Sequence, residues 1–336
     1  MSVLTFLGDV WLPYQVESEI DVSDKYIFNL EGPITRSEIP APGKINIKVD
    51  REFYKETFGK YPIAVCLANN HIMDYGEQGF LDTIEVLNKK NIRFFGAGSL
   101  KDNCNNPLFL NIDEKKIAFM GYVCHSTHPL FADEKSLGVM PIMLEKIVQD
   151  IQFAKNNKAD RIVIQLHWGD EEVYLPKPED VIMAHAIVDA GADLIIGHHA
   201  HCIQPHEMYK GKYIFYGLGN CIFPNFDLMV NYGQEKNSPY RWVQKWGRWN
   251  ELSFKVSVDI GLNEVNFCGV AYDQKKCREI KLSSKYQLHY SLKYDQLYRR
   301  NYKYSQLRNV IGRFFIRPKI PSAGAFLNII KSFFKK

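Results

Sequence analysis

With 336 residues, 46% of them hydrophobic and 24% charged, the chain has the apolar material for one large core and falls in the ordinary globular range. No window reaches the roughly eighteen unbroken apolar residues that a spanning helix needs, and residues 1–7 carry no basic n-region of a signal peptide. Seven cysteines without CxxC spacing, several inside apolar runs as Cys66 is, argue against a disulfide scaffold and for reduced thiols in a cytoplasmic protein.

The formal net charge of +4 conceals an asymmetry. Residues 299–336 hold ten Lys/Arg and no Asp/Glu, which leaves 32 basic against 38 acidic residues in the rest. A mildly acidic body with a basic tail predicts an anionic partner for the tail, with nucleic acid and a phospholipid surface both open.

In chain order, residues 3–7, 26–30, 63–67, 117–121, 161–166, 194–196 and 213–216 are short apolar runs, rich in β-branched or aromatic residues, that end at Gly or polar residues. They predict buried strands. Residues 77–90, 144–157 and 178–190 carry helical periodicity, the last with Pro178 near its start and Gly191 beyond its end. The alternation predicts an α/β protein. Residues 251–258 and 265–272 then alternate as an antiparallel hairpin around Gly261, Leu262 and Asn263. From residue 281 the chain is rich in Tyr, Lys and Arg, with helices expected, and Phe326, Ile330, Phe333 and Phe334 fall on one helical face suited to a membrane surface. This reading divides the chain into a domain over residues 1–275 and a basic extension over 276–336.

The residues of chemical interest sit where the predicted strands stop. Asp9 follows the first, Glu31 the second, Asn70 and His71 the third; His167 ends the run before Trp168, and Gly197-His198-His199-Ala200-His201 ends another. Strand ends are where open α/β sheets form ligand sites. Alone, Asp9 and Glu31 read equally well as turn residues, and a single histidine as a satisfied core group. Together, two carboxylates and several imidazoles make the mixed O/N donor set that suits Mn²⁺, Fe²⁺ or Zn²⁺. Asn70 can complete such a set without adding charge. His71 can protonate a leaving group, with Asp74 setting its tautomer. Trp168 would form a wall, and Glu171 would accept from a ring N–H or meet substrate together with His198. Lys44, Lys48 and Arg36 are placed to meet an anionic substrate. His125, His128, His185, His206 and His289 read as structural.

These motifs resemble the poly-γ-glutamate capsule-biosynthesis (CapA-like) family of the calcineurin-like metallophosphoesterase superfamily. The matching text is Gly8-Asp9-Val10, Asn29-Leu30-Glu31-Gly32-Pro33, Leu67-Ala68-Asn69-Asn70-His71 with Asp74-Tyr75-Gly76, and Gly96-Ala97-Gly98. It continues in His167-Trp168-Gly169, the 197–201 run with Gln204, Pro205 and Glu207, and Gly217-Leu218-Gly219-Asn220. The resemblance runs from residue 3 to about 224 and implies a four-layer αββα sandwich, with a basic, helical C-terminal extension outside it. It also implies one or two divalent ions, with Asp9, Glu31 and His201 as ligands of one site and Glu31, Asn70, His167 and His199 of the other. Glu31 would bridge, and His71 with Asp74 would be the proton donor and its partner.

The sequence departs from the superfamily at Trp11, where a ligand histidine is usual, so one site is short of a ligand. Ala200 stands where the family commonly has Pro. The expected activity is a metal-dependent, phosphatase-like hydrolase in capsule or exopolymer synthesis, acting on an anionic small molecule or polymer. A metal-dependent peptide epimerase and a non-catalytic assembly factor are the alternatives. A nuclease is disfavoured, because basic charge is confined to the tail.

Overall fold

The computed structural model describes residues 2–230, 240–262, 264–282, 286–291 and 293–316. Two compact units make up the chain, Met1–Leu288 and His289–Lys336.

The first unit begins with β1 (Val3–Val10), whose apolar side chains are buried on both faces, as befits a strand inside a sandwich. In chain order there follow β2 (Glu17–Glu19), β3 (Lys25–Leu30), α1 (Tyr54–Phe58), β4 (Ala64–Cys66), α2 (Gly76–Lys89) and β5 (Arg93–Phe95). Next come β6 (Ala97–Gly98), β7 (Leu108–Ile112), β8 (Lys115–Val123), β9 (Gly138–Val139), α3 (Leu144–Asn156), β10 (Arg161–His167) and α4 (Pro178–Ala190). The remaining strands are β11 (Leu194–His198), β12 (Gln204–Tyr209), β13 (Lys212–Gly217), β14 (Asn220–Ile222), β15 (Phe226–Val230), β16 (Tyr240–Gln244), β17 (Leu252–Asp259), β18 (Glu264–Tyr272) and β19 (Lys276–Ile280). The second unit contains α5 (Tyr294–Ile316).

Two large sheets carry the architecture. One has the order β2-β19-β18-β17-β1-β3-β4-β5, with β14 added beside the end of β1; the other runs β12-β13-β11-β10-β8-β7. The second sheet is parallel at its centre with antiparallel strands at both margins, whereas in the first β1, β3, β4 and β5 form a parallel half and β17, β18 and β19 continue it antiparallel. The sheets face each other through one apolar core, where Phe6 of the first meets Phe119 of the second with ring centroids 6.4 Å apart. Helix α2 packs on the first sheet, and α3 and α4 pack together on the second, giving the four-layer α/β sandwich. The predicted strands and the three predicted helices appear within two residues of their expected ends, apart from β1, which runs three residues further. The hairpin of β17 and β18 is antiparallel as expected. Among the described residues no helix is long and apolar enough to cross a membrane. The apolar face expected at residues 326–334 lies outside the described residues, as does Asn263.

Register sets the site. Asp9 pairs with Asn29 of β3 on one side and with Asn220 of β14 on the other. In the second sheet His167 pairs with His198. Glycines let the backbones close up just before these positions. A Cβ at Gly8 would overlap the Gly219 carbonyl oxygen, and one at Gly197 would overlap the Tyr216 carbonyl oxygen. Substituting Gly197→Ala is therefore expected to destabilise the protein by about 3 kcal/mol. Gly211→Ala, with open space around it and φ of +77°, should cost only about 1–2 kcal/mol. Urea unfolding of the two variants beside the wild type checks the difference.

Candidate metal centre

The end of β1 delivers Asp9 into the seam between the sheets, and the end of β3 delivers Glu31 beside it. Both carboxylates are fully buried. Asn29 donates through Nδ2 to Asp9 Oδ1 at 2.8 Å and to Glu31 Oε2 at 2.5 Å. Asn29 lies two residues before Glu31, so the strand's two-residue period puts both side chains on one face. Asn69 holds Asn29 in turn, donating to Asn29 Oδ1 at 3.0 Å and to the Leu30 carbonyl at 2.7 Å. The Asn69 Oδ1 accepts from the backbone N–H groups of His71 and Ile72, at 3.0 and 2.8 Å. One side chain thereby ties β3 to the turn that presents Asn70 and His71.

The second sheet brings the imidazoles. His167, at the end of β10, is fully buried with Nε2 2.8 Å from Asn70 Oδ1 and 3.7 Å from Glu31 Oε1. His199 and His201 follow β11 in the left-handed backbone region, with φ of +86° and +52°. Non-glycine residues take that conformation at a cost, commonly at functional turns. The His199 ring lies between the other two, with centroids 4.8 Å from His167 and 6.0 Å from His201. His201 donates through Nδ1 to Asn220 Oδ1 at 2.8 Å, which leaves Nε2 as the lone-pair nitrogen of the neutral ring. Its Nδ1 also lies 3.5 Å from Asp9 Oδ2.

Burial alone would raise the Asp9 carboxyl, but His198, His201 and Asn29 outweigh it and hold the group below the usual carboxylate value. Glu31 goes the other way: burial, then the negative charges of Asp9 and Asp74, push it well above the ordinary range. Burial and the neighbouring imidazoles push His167 well below its ordinary value, and burial brings His199 down to about 4. The rings are thus neutral, with lone pairs to offer, beside carboxylates that repel each other. Glu31 Oε1, His167 Nδ1 and His199 Nδ1 are buried without a hydrogen-bond partner. Orphaned buried donor atoms of mixed O/N type are the chemistry a divalent cation fits.

The six expected ligands, Asp9, Glu31, Asn70, His167, His199 and His201, thus converge on one seam. His71 joins them with Nδ1 2.7 Å from Asp74 Oδ2. Of the residues expected against substrate, Trp168 and His198 are turned away, while Lys44 and Glu171 lie beside the cluster. Trp168 is buried, donates to the Tyr216 carbonyl at 2.8 Å and stacks on the Tyr216 ring. His198 is buried behind Asp9, bonded to Asp9 Oδ1 at 2.9 Å and to Gln165 Oε1 at 3.2 Å, because strand alternation sends it opposite to its neighbours. Lys44 pairs with Asp74 Oδ1 at 2.5 Å and also reaches the Asn70 carbonyl. Lys48 bonds Glu38 and the Ser37 carbonyl. Glu171 is exposed and gathers with His199 and His201, their donor atoms within 4.8 Å of one another. Trp11 offers no ligand: its indole donates to the Lys48 carbonyl at 3.1 Å and packs on Phe223 and Phe226. Sequence reasoning quoted Asn29, Asn69 and Asn220 within motifs but gave them no role in the site, and it missed Gln165. Only Asn29 carried a signal, its two-residue offset from Glu31.

A family model described as bacterial capsule synthesis protein matches residues 9–225. A PGA biosynthesis protein CapA of Bacillus subtilis (strain 168) is 34% identical over 235 residues, 67% of this chain and 62% of the relative. The capsule biosynthesis protein CapA of Bacillus anthracis is 36% identical over 160 residues, 47% of this chain and 39% of the relative. This chain therefore spans well short of the full length of either. The crystal structure of a 5'-nucleotidase precursor from Thermus thermophilus aligns at 11% identity with a TM-score of 0.42, covering 92% of this chain and 59% of that one. So slight a likeness adds nothing to the topology described above.

The buried pair makes metal-free stability depend on pH. Between the ordinary carboxyl value and the raised value of Glu31, the folded protein keeps a proton that the unfolded chain has released, so stability falls as pH rises through that window. Asp9 has the opposite sense, and its contribution is lost only as pH falls below the ordinary carboxyl range. Glu31→Gln removes the first effect. It should make chelator-treated protein gain on wild type as pH rises from 5 to 8, because only the wild type loses stability through that window. Unfolding midpoints across that range measure it.

Proposed function

The chain belongs to the bacterial capsule synthesis protein family, and on that footing we propose that it is a metal-dependent, phosphoesterase-type hydrolase acting in the assembly of a capsule or exopolymer such as poly-γ-glutamate. The observation that carries the reading is the gathering of Asp9, Glu31, Asn70, His167, His199 and His201 as buried, mutually adjacent oxygen and nitrogen donors. These six, Glu31 among them, would hold one or two ions of Mn²⁺, Fe²⁺ or Zn²⁺. A divalent cation supplies there a Lewis acid and a water of lowered pKa.

The rest of the chemistry falls to the chain's own side chains. His71 is the less buried ring beside the ligands, its side chain 14% exposed, so it faces where substrate must enter. With Nδ1–H donating to Asp74, Nε2 is the nitrogen left for substrate, and the imidazolium form would pass its Nε2 proton to the leaving-group oxygen. Asp74 is fixed by Lys44 and by the Ile47 N–H, which donates to its Oδ2 at 2.8 Å, so the ring cannot swing out of line. Lys44 thus serves the proton donor, where an ionic contact to substrate was expected. The anionic membrane or synthase complex is assigned on composition to the basic residues of 299–336, half of which lie outside the described residues.

A panel of phosphoesters and phosphorylated polymer precursors, combined with metal analysis, tests the proposal. His71→Ala should keep the metal content of wild type and lose turnover by about 10²–10⁴-fold. Turnover unaffected by the substitution would remove His71 from the mechanism. Metal-loaded wild type that hydrolyses no member of the panel would count against a phosphoesterase.

A further inference from the structure

The donors around Asp9 are unevenly supplied. Glu31, Asn70 and His167 close in on one side of His199, all of them buried. On the other side β1 contributes Asp9 alone, since Trp11, two residues on, spends its indole on Lys48 and on the Phe223 and Phe226 rings. His201 stands there, clamped between Phe223 and Trp246 with both ring centroids 5.1 Å away. His199 Nδ1 is buried beside it with no hydrogen-bond partner.

We propose that Glu171 completes this side, acting as the solvent-facing ligand of a second divalent cation held with His199, His201 and Asp9. The inference rests on the metal-dependent reading above and adds to it a ligand from the loop between β10 and α4. Donor atoms of Glu171, His199 and His201 lie within 4.8 Å of one another. Tetrahedral ligands about 2.0–2.2 Å from one ion lie roughly 3.3–3.6 Å apart, so the widest separation among the three has to close by about an ångström. Glu171 is exposed, so a small rotation of its side chain through solvent makes up that difference.

The position of Glu171 follows from the way its loop is bound to the histidine turn. The Glu172 N–H donates to the Ala200 carbonyl at 2.8 Å, between the two histidines. Gln204 Nε2 donates to the carbonyls of Val173 and Leu175 at 2.9 and 3.3 Å, and the Cys202 thiol reaches the Val173 carbonyl. An Asp170–Lys177 ion pair of 2.9 Å closes the base of the loop. The loop is therefore registered against residues 200–204, and Glu171 meets the imidazoles as a consequence of that register. A ligand on the solvent side makes this the more exchangeable of the two ions. The inner ion, among Glu31, Asn70 and His167, is enclosed.

Equilibrium dialysis of the metal-stripped full chain against Mn²⁺, with bound metal counted by mass spectrometry, tests the assignment without an activity assay. Two ions per wild-type chain are expected, one weaker than the other. Glu171→Gln should keep the tighter ion and weaken the other by at least about tenfold, while Glu172→Gln, one residue on, binds both as wild type does. Metal-free melting curves show whether the variants are folded. Two ions bound with unchanged affinities in Glu171→Gln would overturn the inference and leave the metal-dependent reading in place. So would a wild type that binds a single ion. A wild type that binds no Mn²⁺ would overturn the reading itself.

Discussion

Two carboxylates, Asp9 and Glu31, lie fully buried and share one amide donor, Asn29. Removing two like charges from water costs several kcal/mol each unless an opposite charge or a proton compensates. The protein supplies partial compensation from its own side chains: His198 and the His199 backbone N–H reach Asp9, and a raised pKa lets Glu31 keep its proton. Glu31 Oε1 nevertheless has no hydrogen-bond partner. So costly an arrangement is stable in a fold that gains something by it, and a divalent cation is the partner that satisfies both carboxylates and the neutral imidazoles at once.

The sandwich is arranged around that pair. β1 and β3 are neighbouring parallel strands, so their ends place Asp9 and Glu31 side by side. β10 and β11 are neighbours in the facing sheet and bring His167 and the 198–201 run to the same level. Where the sheets meet, the Asp9 N–H donates to the Gly219 carbonyl at 3.0 Å, and β14 crosses to pair with the end of β1. Glycine at 8 and 197 allows the backbones to approach that closely. Packing and chemistry therefore draw on the same few residues, and a change at the seam disturbs both.

The division between what was legible and what was not follows from the range of the forces involved. Apolar runs that end in a polar residue are local signals, and they located β1, β3, β10 and β11 together with the donors at their ends. The direction of a side chain at those ends depends on which strand lies alongside. Trp168 and His198 were accordingly read as facing substrate, whereas alternation turns one onto Tyr216 and the other onto Asp9. Lys44 was read as a free cation because its partner, Asp74, lies thirty residues away and approaches only through the fold. The carboxamides that organise the site, Asn29, Asn69 and Asn220, look like turn or strand residues in isolation. Their roles arise from pairing across strands. The left-handed backbone at His199 and His201 leaves no trace in composition either.

The central claim is that the buried pair and its imidazoles form a cation site. The most direct measurement is the unfolding midpoint of the chelator-stripped full chain at pH 7.5 as Mn²⁺ or Zn²⁺ is added. The account predicts a midpoint that rises with free metal, reaching about 2.7 kcal/mol of added stability at a hundred times the dissociation constant. A midpoint that stays fixed across the titration would contradict it and leave Asp9 and Glu31 as a metal-free structural pair.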